Sequence, residues 1–259
     1  MNVREAAIYL LEDFDDHKPG TLFEHSELNL SINDAYDLQF EVAGMRESRG
    51  ERVAGYKIGC ISKTMQRQLC IDHPVFGHVW DTELYQSGVQ LCTTQFDGLA
   101  IEGELAVRLL DDVPSANWLK NNPEVVSGHH SVIELHNYVF RGTESTRAAE
   151  LVANNTIHAG VVTNNEETGS NDFNPNTVLR VDRNTERLGE GIAVHLQNGA
   201  VDIVAIVSEH LERRGLHLKR DQIVLTGSPL PLWTVAPGDL ITVHYDGLAD
   251  VCCTITERN

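Results

Sequence analysis

Leu99-Ala100-Ile101-Glu102-Gly103-Glu104-Leu105-Ala106-Val107-Arg108-Leu109-Leu110 is the clearest strand of the chain. Ile101, Gly103, Leu105, Val107 and Leu109 alternate with Glu102, Glu104, Ala106 and Arg108, the period-two pattern of a strand with two unlike faces. That period puts Glu102 and Glu104 on one face, with Cα atoms roughly 6.6 Å apart. Two carboxylates leaning toward one point can hold a hard cation at about 2.1 Å. Taken alone, an E-x-E pair is more often the polar side of a solvated strand.

Away from this strand the period changes. Val3, Ala6, Ala7, Leu10, Leu11 and Phe14 recur at helical spacing behind an Asn2/Glu5 capping pair. Asp15-Asp16-His17-Lys18-Pro19-Gly20 breaks that helix. A second helix is expected from Ser31, with Asp34 three residues on, through Ala35, Leu38, Val42 and Met45 to a stop near Gly50. The stretches 53–58, 222–225, 240–245 and 251–255 read as strands, the last two flanking Asp246-Gly247 as a hairpin. Val201 to Arg214, with Gly215 just past its end, reads as one more helix. Segments 111–130 and 164–190, rich in Asn, Asp, Ser and Gly, read as loops. The sum is a mostly β core with a helical N-terminal piece.

The 259 residues allow one large domain, or a main domain with a smaller appendage. Met1-Asn2-Val3-Arg4-Glu5 lacks a basic stretch followed by an apolar one, so no secretory signal is expected, and the apolar runs fall far below the roughly 18 residues of a membrane span. The cysteines Cys60, Cys70, Cys92, Cys252 and Cys253 are odd in number and form no C-x-x-C pair. They are expected to be buried or half-buried thiols of a reducing, cytoplasmic compartment. The formal net charge of -18 argues against nucleic acid and anionic membrane as partners. It also repels a carboxylate ligand at long range, so an anionic ligand would need a local reversal of sign from a metal ion or a lysine. Solubility alone accounts for the charge equally well.

Two further residues stand out. Glu134 lies in Ser131-Val132-Ile133-Glu134-Leu135, an otherwise apolar stretch. A buried, unpaired carboxylate is costly, so a metal ion or a salt bridge is expected beside it. Lys57, in Gly55-Tyr56-Lys57-Ile58-Gly59, either snorkels to solvent or is a site cation. His25, His136, His158 and His195 read as ordinary polar residues.

Several short motifs occur in a fixed order. They are Gly55-Tyr56-Lys57-Ile58-Gly59, Ser62-Lys63 with Met65-Gln66, Pro74-Val75-Phe76-Gly77, Ile101-Glu102-Gly103-Glu104-Leu105-Ala106, Glu134, and Ile223-Val224-Leu225-Thr226-Gly227-Ser228. Together with Ala35-Tyr36-Asp37-Leu38-Gln39, they make the chain resemble the 2-keto-4-pentenoate hydratase / 4-oxalocrotonate decarboxylase branch of the fumarylacetoacetate hydrolase superfamily over nearly its whole length. The resemblance implies an α+β fold: a mixed β-roll core, roughly 79–259, behind an N-terminal helical and strand region, 1–78, which can be counted together as one domain. It implies a homo-oligomer, and Mg²⁺ or Mn²⁺ held by Glu102, Glu104 and Glu134. It assigns catalytic roles to Lys57 and to Asp81, the acid a few positions after P-x-x-G. It places Thr226, Gly227, Ser228 and Asn155 with the substrate. The substrate implied is a small 2-keto acid, which chelates the cation through its keto and carboxylate oxygens, so that the metal stabilises an enolate.

The match departs from the family in three places. Ala153-Asn154-Asn155 stands where the family has A-D-N, an amide in place of an acid. Leu135-His136-Asn137-Tyr138-Val139-Phe140-Arg141 replaces a segment that carries Asp or Gly and then Arg. Val194-His195-Leu196-Gln197 stands near the place of a missing G-H-P loop. The expected activity is that of a hydratase, adding water to a 2-hydroxy-2,4-dienoate, or of a decarboxylase of an oxalocrotonate-like diacid. One rival is a C–C bond hydrolase of an acylpyruvate, for which Glu24-His25 is the local base candidate. The other is an inactive partner subunit or binding protein of the same fold, since hydratase and decarboxylase chains of this family can associate.

Overall fold

The computed structural model of the chain describes residues 2–24, 30–164, 177–192 and 199–257. His25, His195 and the segment 193–198 lie outside the described residues. The elements run α1 (Val3–Asp15), α2 (Ile32–Ser48), β1 (Val53–Gly59), α3 (Lys63–Gln68), β2 (Val75–Trp80), β3 (Leu84–Gln86), β4 (Val89–Cys92) and β5 (Leu99–Leu109). They continue through α4 (Ala116–Leu119), β6 (Val126–Asn137), α5 (Arg147–Ala153), β7 (His158–Thr163), β8 (Val178–Arg183), β9 (Glu186–Ile192) and α6 (Ala200–Glu212). The last are β10 (Ile223–Leu225), β11 (Trp233–Thr234), β12 (Leu240–Tyr245) and β13 (Val251–Thr256). Among the described residues no helix is long and apolar enough to cross a membrane.

Both N-terminal helices start on full capping boxes. Asn2 and Glu5 cap α1, and Ser31 and Asp34 cap α2; each pair satisfies two otherwise orphaned backbone donors. The large sheet has the order β2-β1-β10-β5-β6-β7-β3, with β11 added to β5. The second sheet has the order β4-β13-β12-β8-β9. The helices cover one region of the large sheet, where Leu10, Leu22, Leu38, Tyr56, Ile58, Val107, Leu109, Val204 and Leu211 share a core. The second sheet covers another, burying Ile101, Leu105, Ile133 and Leu135 against Leu179, Val181, Ile241 and Val243. Both cores use one side of β5, so its other side, carrying Glu102 and Glu104, turns into the hollow of the curled sheet.

Gly103 separates those two glutamates for a steric reason. A Cβ there would stand 2.5 Å from Val181 Cγ2 and 3.1 Å from Val243 Cγ2, so only glycine lets the second sheet approach this closely. The strand therefore meets two requirements at adjacent positions: no side chain toward the sheet interface, and carboxylates toward the hollow.

Two stretches read as loops contain strands. β6 begins at Val126, inside the segment 111–130, and β8 with most of β9 falls within 164–190. Ser127, Gly128, His129, His130 and Ser131 do not look like a strand core, yet every residue of β6 is buried. It is enclosed between β5 and β7, and contacts distant in sequence override its local polarity. None of the five cysteines is in a disulfide. Cys252 and Cys253 face opposite ways, half-buried and buried, as alternation requires, while Cys70 is exposed, against the expectation.

Candidate metal centre

The register of β5 on β6 builds the site. Glu102 pairs directly with Glu134 across the two antiparallel strands, and Ala100 pairs with His136. Like charges directly opposite are destabilising; here Glu134 has no solvent exposure, Glu102 is half-buried, and Glu104 beside them is 1% exposed. Small Ala100 leaves room for the His136 ring to lean along the strand toward Glu102. One donor atom from each of Glu102, Glu134 and His136 lies within 4.8 Å of the others.

Each carboxylate oxygen of Glu134 has its own surroundings. Oε1 accepts from His158 Nδ1 at 2.6 Å and lies 3.2 Å from Lys57 Nζ. Oε2 has no hydrogen-bond partner among the described residues; its neighbour is His136 Nε2 at 3.6 Å. His158 reaches Glu134 because β7 carries a bulge. The β6–β7 register passes from Leu135↔Gly160 to His136↔His158, skipping Ala159. The extra residue turns Ala159 into the inter-sheet core and brings His158 to the carboxylate side.

Burial would raise the Glu134 pKa, but the Lys57 ammonium, His136 and the His158 hydrogen bond outweigh it and hold the carboxyl well below its usual range. Burial likewise opposes the charge on Lys57, and the three nearby glutamates outweigh it and keep the ammonium protonated. Glu104 goes the other way: burial, then the charges of Glu134 and Glu102, push it well above the carboxylate range. Three clustered carboxyl groups thus face the Lys57 ammonium among the described residues, and one of them, Glu104, is disfavoured as an anion by burial and by the other two. A divalent cation there would offset that crowding and would give Glu134 Oε2 a partner.

The other sequence-predicted residues divide. Lys57 joins the cluster, at 4% exposure rather than snorkelling. The turn after β10 closes over Glu104: Gly227, at φ +86°, donates its N–H to Glu104 Oε2 at 3.0 Å. The hydroxyls of Thr226 and Ser228 donate to the Leu105 and Gly103 carbonyls. Asp81 is placed elsewhere, its carboxylate accepting from the Arg52 backbone at 2.9 Å and side chain at 3.2 Å. The acid that turns inward in that segment is Glu83, buried, paired with Arg46 at 2.7 Å and 3.8 Å from His158 Nε2. Asn155 uses its side chain to clamp β2, accepting from His78 N at 2.7 Å and donating to His78 O at 2.8 Å. Asn154 lines a cavity with Gln39, Asn137 and His158. Glu24 pairs with Arg141 at 3.1 Å.

His136 and His158 are the residues that sequence reasoning missed. The signal for His136 was present, since Glu134-x-His136 shares a strand face by the same alternation as Glu102-x-Glu104. Nothing local marks His158, which depends on the bulge.

Comparison with protein-family models gives no match. Among curated proteins, the chain is 25% identical over 226 residues to a 4-oxalocrotonate decarboxylase of Pseudomonas sp. (strain CF600), covering 86% of this chain and 85% of that one. It is 25% identical over 233 residues to a 2-hydroxyhexa-2,4-dienoate hydratase of Comamonas testosteroni, covering 88% of each. Among solved structures, 4-oxalocrotonate decarboxylase from Pseudomonas putida G7, complexed with magnesium and adipate, superposes with a TM-score of 0.84 at 20% identity, covering 98% of this chain and 99% of that one. The chain is a relative of the hydratase/decarboxylase branch of the fumarylacetoacetate hydrolase superfamily. The curated relatives are named as decarboxylases and hydratases, and it is enzymes of this lyase class that the chain resembles. The same decarboxylase has also been solved with calcium and acetate.

Proposed function

We propose that the chain is a lyase acting on a small 2-keto acid, a hydratase of a 2-hydroxy-2,4-dienoate or a decarboxylase of a related oxo-diacid, with Mg²⁺ or Mn²⁺ held by Glu102, Glu104 and Glu134. The observation that carries the reading is the buried carboxylate cluster facing one lysine. A divalent ion, when bound, polarises the keto oxygen of such a substrate and stabilises negative charge developing there.

The chain's own residues do the rest. Lys57, dry and held charged beside Glu134, is placed to donate or relay a proton at the substrate carbon next to the keto group. His158 orients Glu134 by its 2.6 Å hydrogen bond. The Thr226–Ser228 turn is the proposed seat of the substrate carboxylate. Its two hydroxyls and the N–H groups of Thr226 and Gly227 already donate to β5, so a carboxylate seated there takes a donor from Ser228 N or displaces one of these bonds.

Asn154 bears on the reaction. Its amide cannot accept a proton at neutral pH, and loss of CO₂ needs no proton abstracted from carbon. Decarboxylation is therefore expected to be at least as fast as hydration, and Asn154→Asp to raise hydration. The experiment is metal titration followed by a screen of 2-keto acids and diacids, reading CO₂ release against ultraviolet absorbance of the dienol. No metal-dependent turnover of any of them would overturn the proposed function. Efficient hydration without CO₂ release, unchanged in Asn154→Asp, would overturn the role given to Asn154.

A further inference from the structure

His136 stands at ion-pair distance from two carboxylates of the cluster, with no hydrogen bond among the described residues to fix its ring. It is 2% exposed, and neither ring nitrogen has a hydrogen-bond partner among the described residues. Its Nε2 points between two carboxylate oxygens, 3.3 Å from Glu102 Oε2 and 3.6 Å from Glu134 Oε2. The first is too long for a good hydrogen bond, and the second is not one. Both are close to the spacing of two ligands on one ion. Cis positions of an octahedron with bonds of about 2.1 Å are about 3.0 Å apart, and tetrahedral positions with bonds of about 2.0 Å are about 3.3 Å apart. Glu104, the third carboxylate of the proposed set, is partly engaged elsewhere, accepting from Gly227 N at 3.0 Å.

We infer that His136 Nε2 is a metal ligand alongside Glu102 and Glu134, and that the site takes a first-row transition dication in preference to Mg²⁺. The inference rests on the proposed metal centre and specifies its donor set. An imidazole nitrogen is a poor ligand for Mg²⁺, which favours oxygen, and a good one for Mn²⁺, Fe²⁺, Co²⁺ or Zn²⁺. The geometry is written into the strands: His136 is two residues from Glu134 on one face of β6, and its partner across β5 is small Ala100. With its proton on Nδ1, the ring would direct the Nε2 lone pair at the space between the two carboxylates.

The test reads the metal rather than turnover. Full-length protein is loaded with Mn²⁺, and its electron spin-echo envelope is recorded for ¹⁴N modulation from a directly bound imidazole. Wild-type protein is expected to show the modulation and His136→Asp, which keeps an oxygen donor, to lose it. In competition between Co²⁺ and Mg²⁺, His136→Asp is expected to reduce the preference for Co²⁺ by about tenfold or more. His136→Gln serves as a second variant, and His158→Gln is expected to retain the modulation. Mn²⁺ bound by wild-type protein without nitrogen modulation would overturn the inference and leave the metal centre standing. Modulation that persists in both His136 variants would overturn it too, because the nitrogen would belong to another residue. Failure of wild-type protein to bind Mn²⁺ stoichiometrically would overturn the inference and the metal centre together.

Discussion

Lys57 shows how one side chain can be settled by its neighbours. Between glycines in an apolar strand its sequence is compatible with a snorkelling ammonium, yet the side chain is buried, 3.2 Å from Glu134 Oε1. A buried ammonium without a partner would lose its proton; the three glutamates keep it charged. If it serves the reaction as proposed, Lys57→Met lowers turnover by roughly 10²-fold or more while metal affinity changes far less. Steady-state kinetics beside a metal titration checks this, and turnover near that of the wild type would reduce Lys57 to a counter-charge for Glu134.

At the scale of elements, β5 serves two layers at once. Its inter-sheet face must be flat enough for β8 and β12 to pack, and Gly103 provides this at the point of closest approach. Gly103→Ala is expected to cost about 1–3 kcal/mol of stability, the range for overpacking a tight core. The blocking atoms are methyls of β-branched Val181 and Val243, which cannot swing aside as a long side chain would. Urea unfolding monitored by circular dichroism measures the cost, and an unchanged midpoint would mean that the two sheets move apart freely enough to admit the methyl. β7 makes the complementary point. Its bulge at Ala159 directs His158 to Glu134, which no regular strand with this sequence would do.

For the molecule as a whole, acid stability should be governed in part by two histidines under the helical layer. Burial lowers the pKa of His78 from 6.5 to about 4, and burial with Arg214 and Arg213 nearby lowers that of His210 to about 3. Each is neutral in the folded protein at pH values where the unfolded chain is already protonated. The unfolded state therefore binds more protons below about pH 6.5, and stability falls as the pH drops through that value toward each folded pKa. These gaps between folded and unfolded states correspond to about 3 kcal/mol for His78 and about 5 kcal/mol for His210 at the acid end. His210 stacks on Phe76, with ring centroids 4.1 Å apart, and its Nε2 has no hydrogen-bond partner among the described residues. His210→Phe is thus expected to flatten the stability profile between pH 6.5 and 4 with little loss at pH 8. Denaturant titrations across that range test it, and a variant as acid-sensitive as the wild type would place the loss in other groups.

The helices, the strand 99–109 and the E-x-E pair were legible because each depends on local physics: capping residues at the right offset, period 3.6, and period 2. The order of short motifs carried the family resemblance and, with it, the α+β architecture. What sequence alone could not supply was everything decided by neighbouring strands. β6 reads as polar because its Ser and His residues are buried by β5 and β7, not by local pattern. Asp81 and Glu83 lie two positions apart, and which of them turns inward depends on packing against Arg46 and His158. Asn155 is spent on clamping β2, and His136 meets Glu102 only through the cross-strand register. Periodicity is a property of one segment and can be read from it. Burial and register are set by contacts between segments far apart in the chain, so the composition of the metal centre was decided only when the sheet closed.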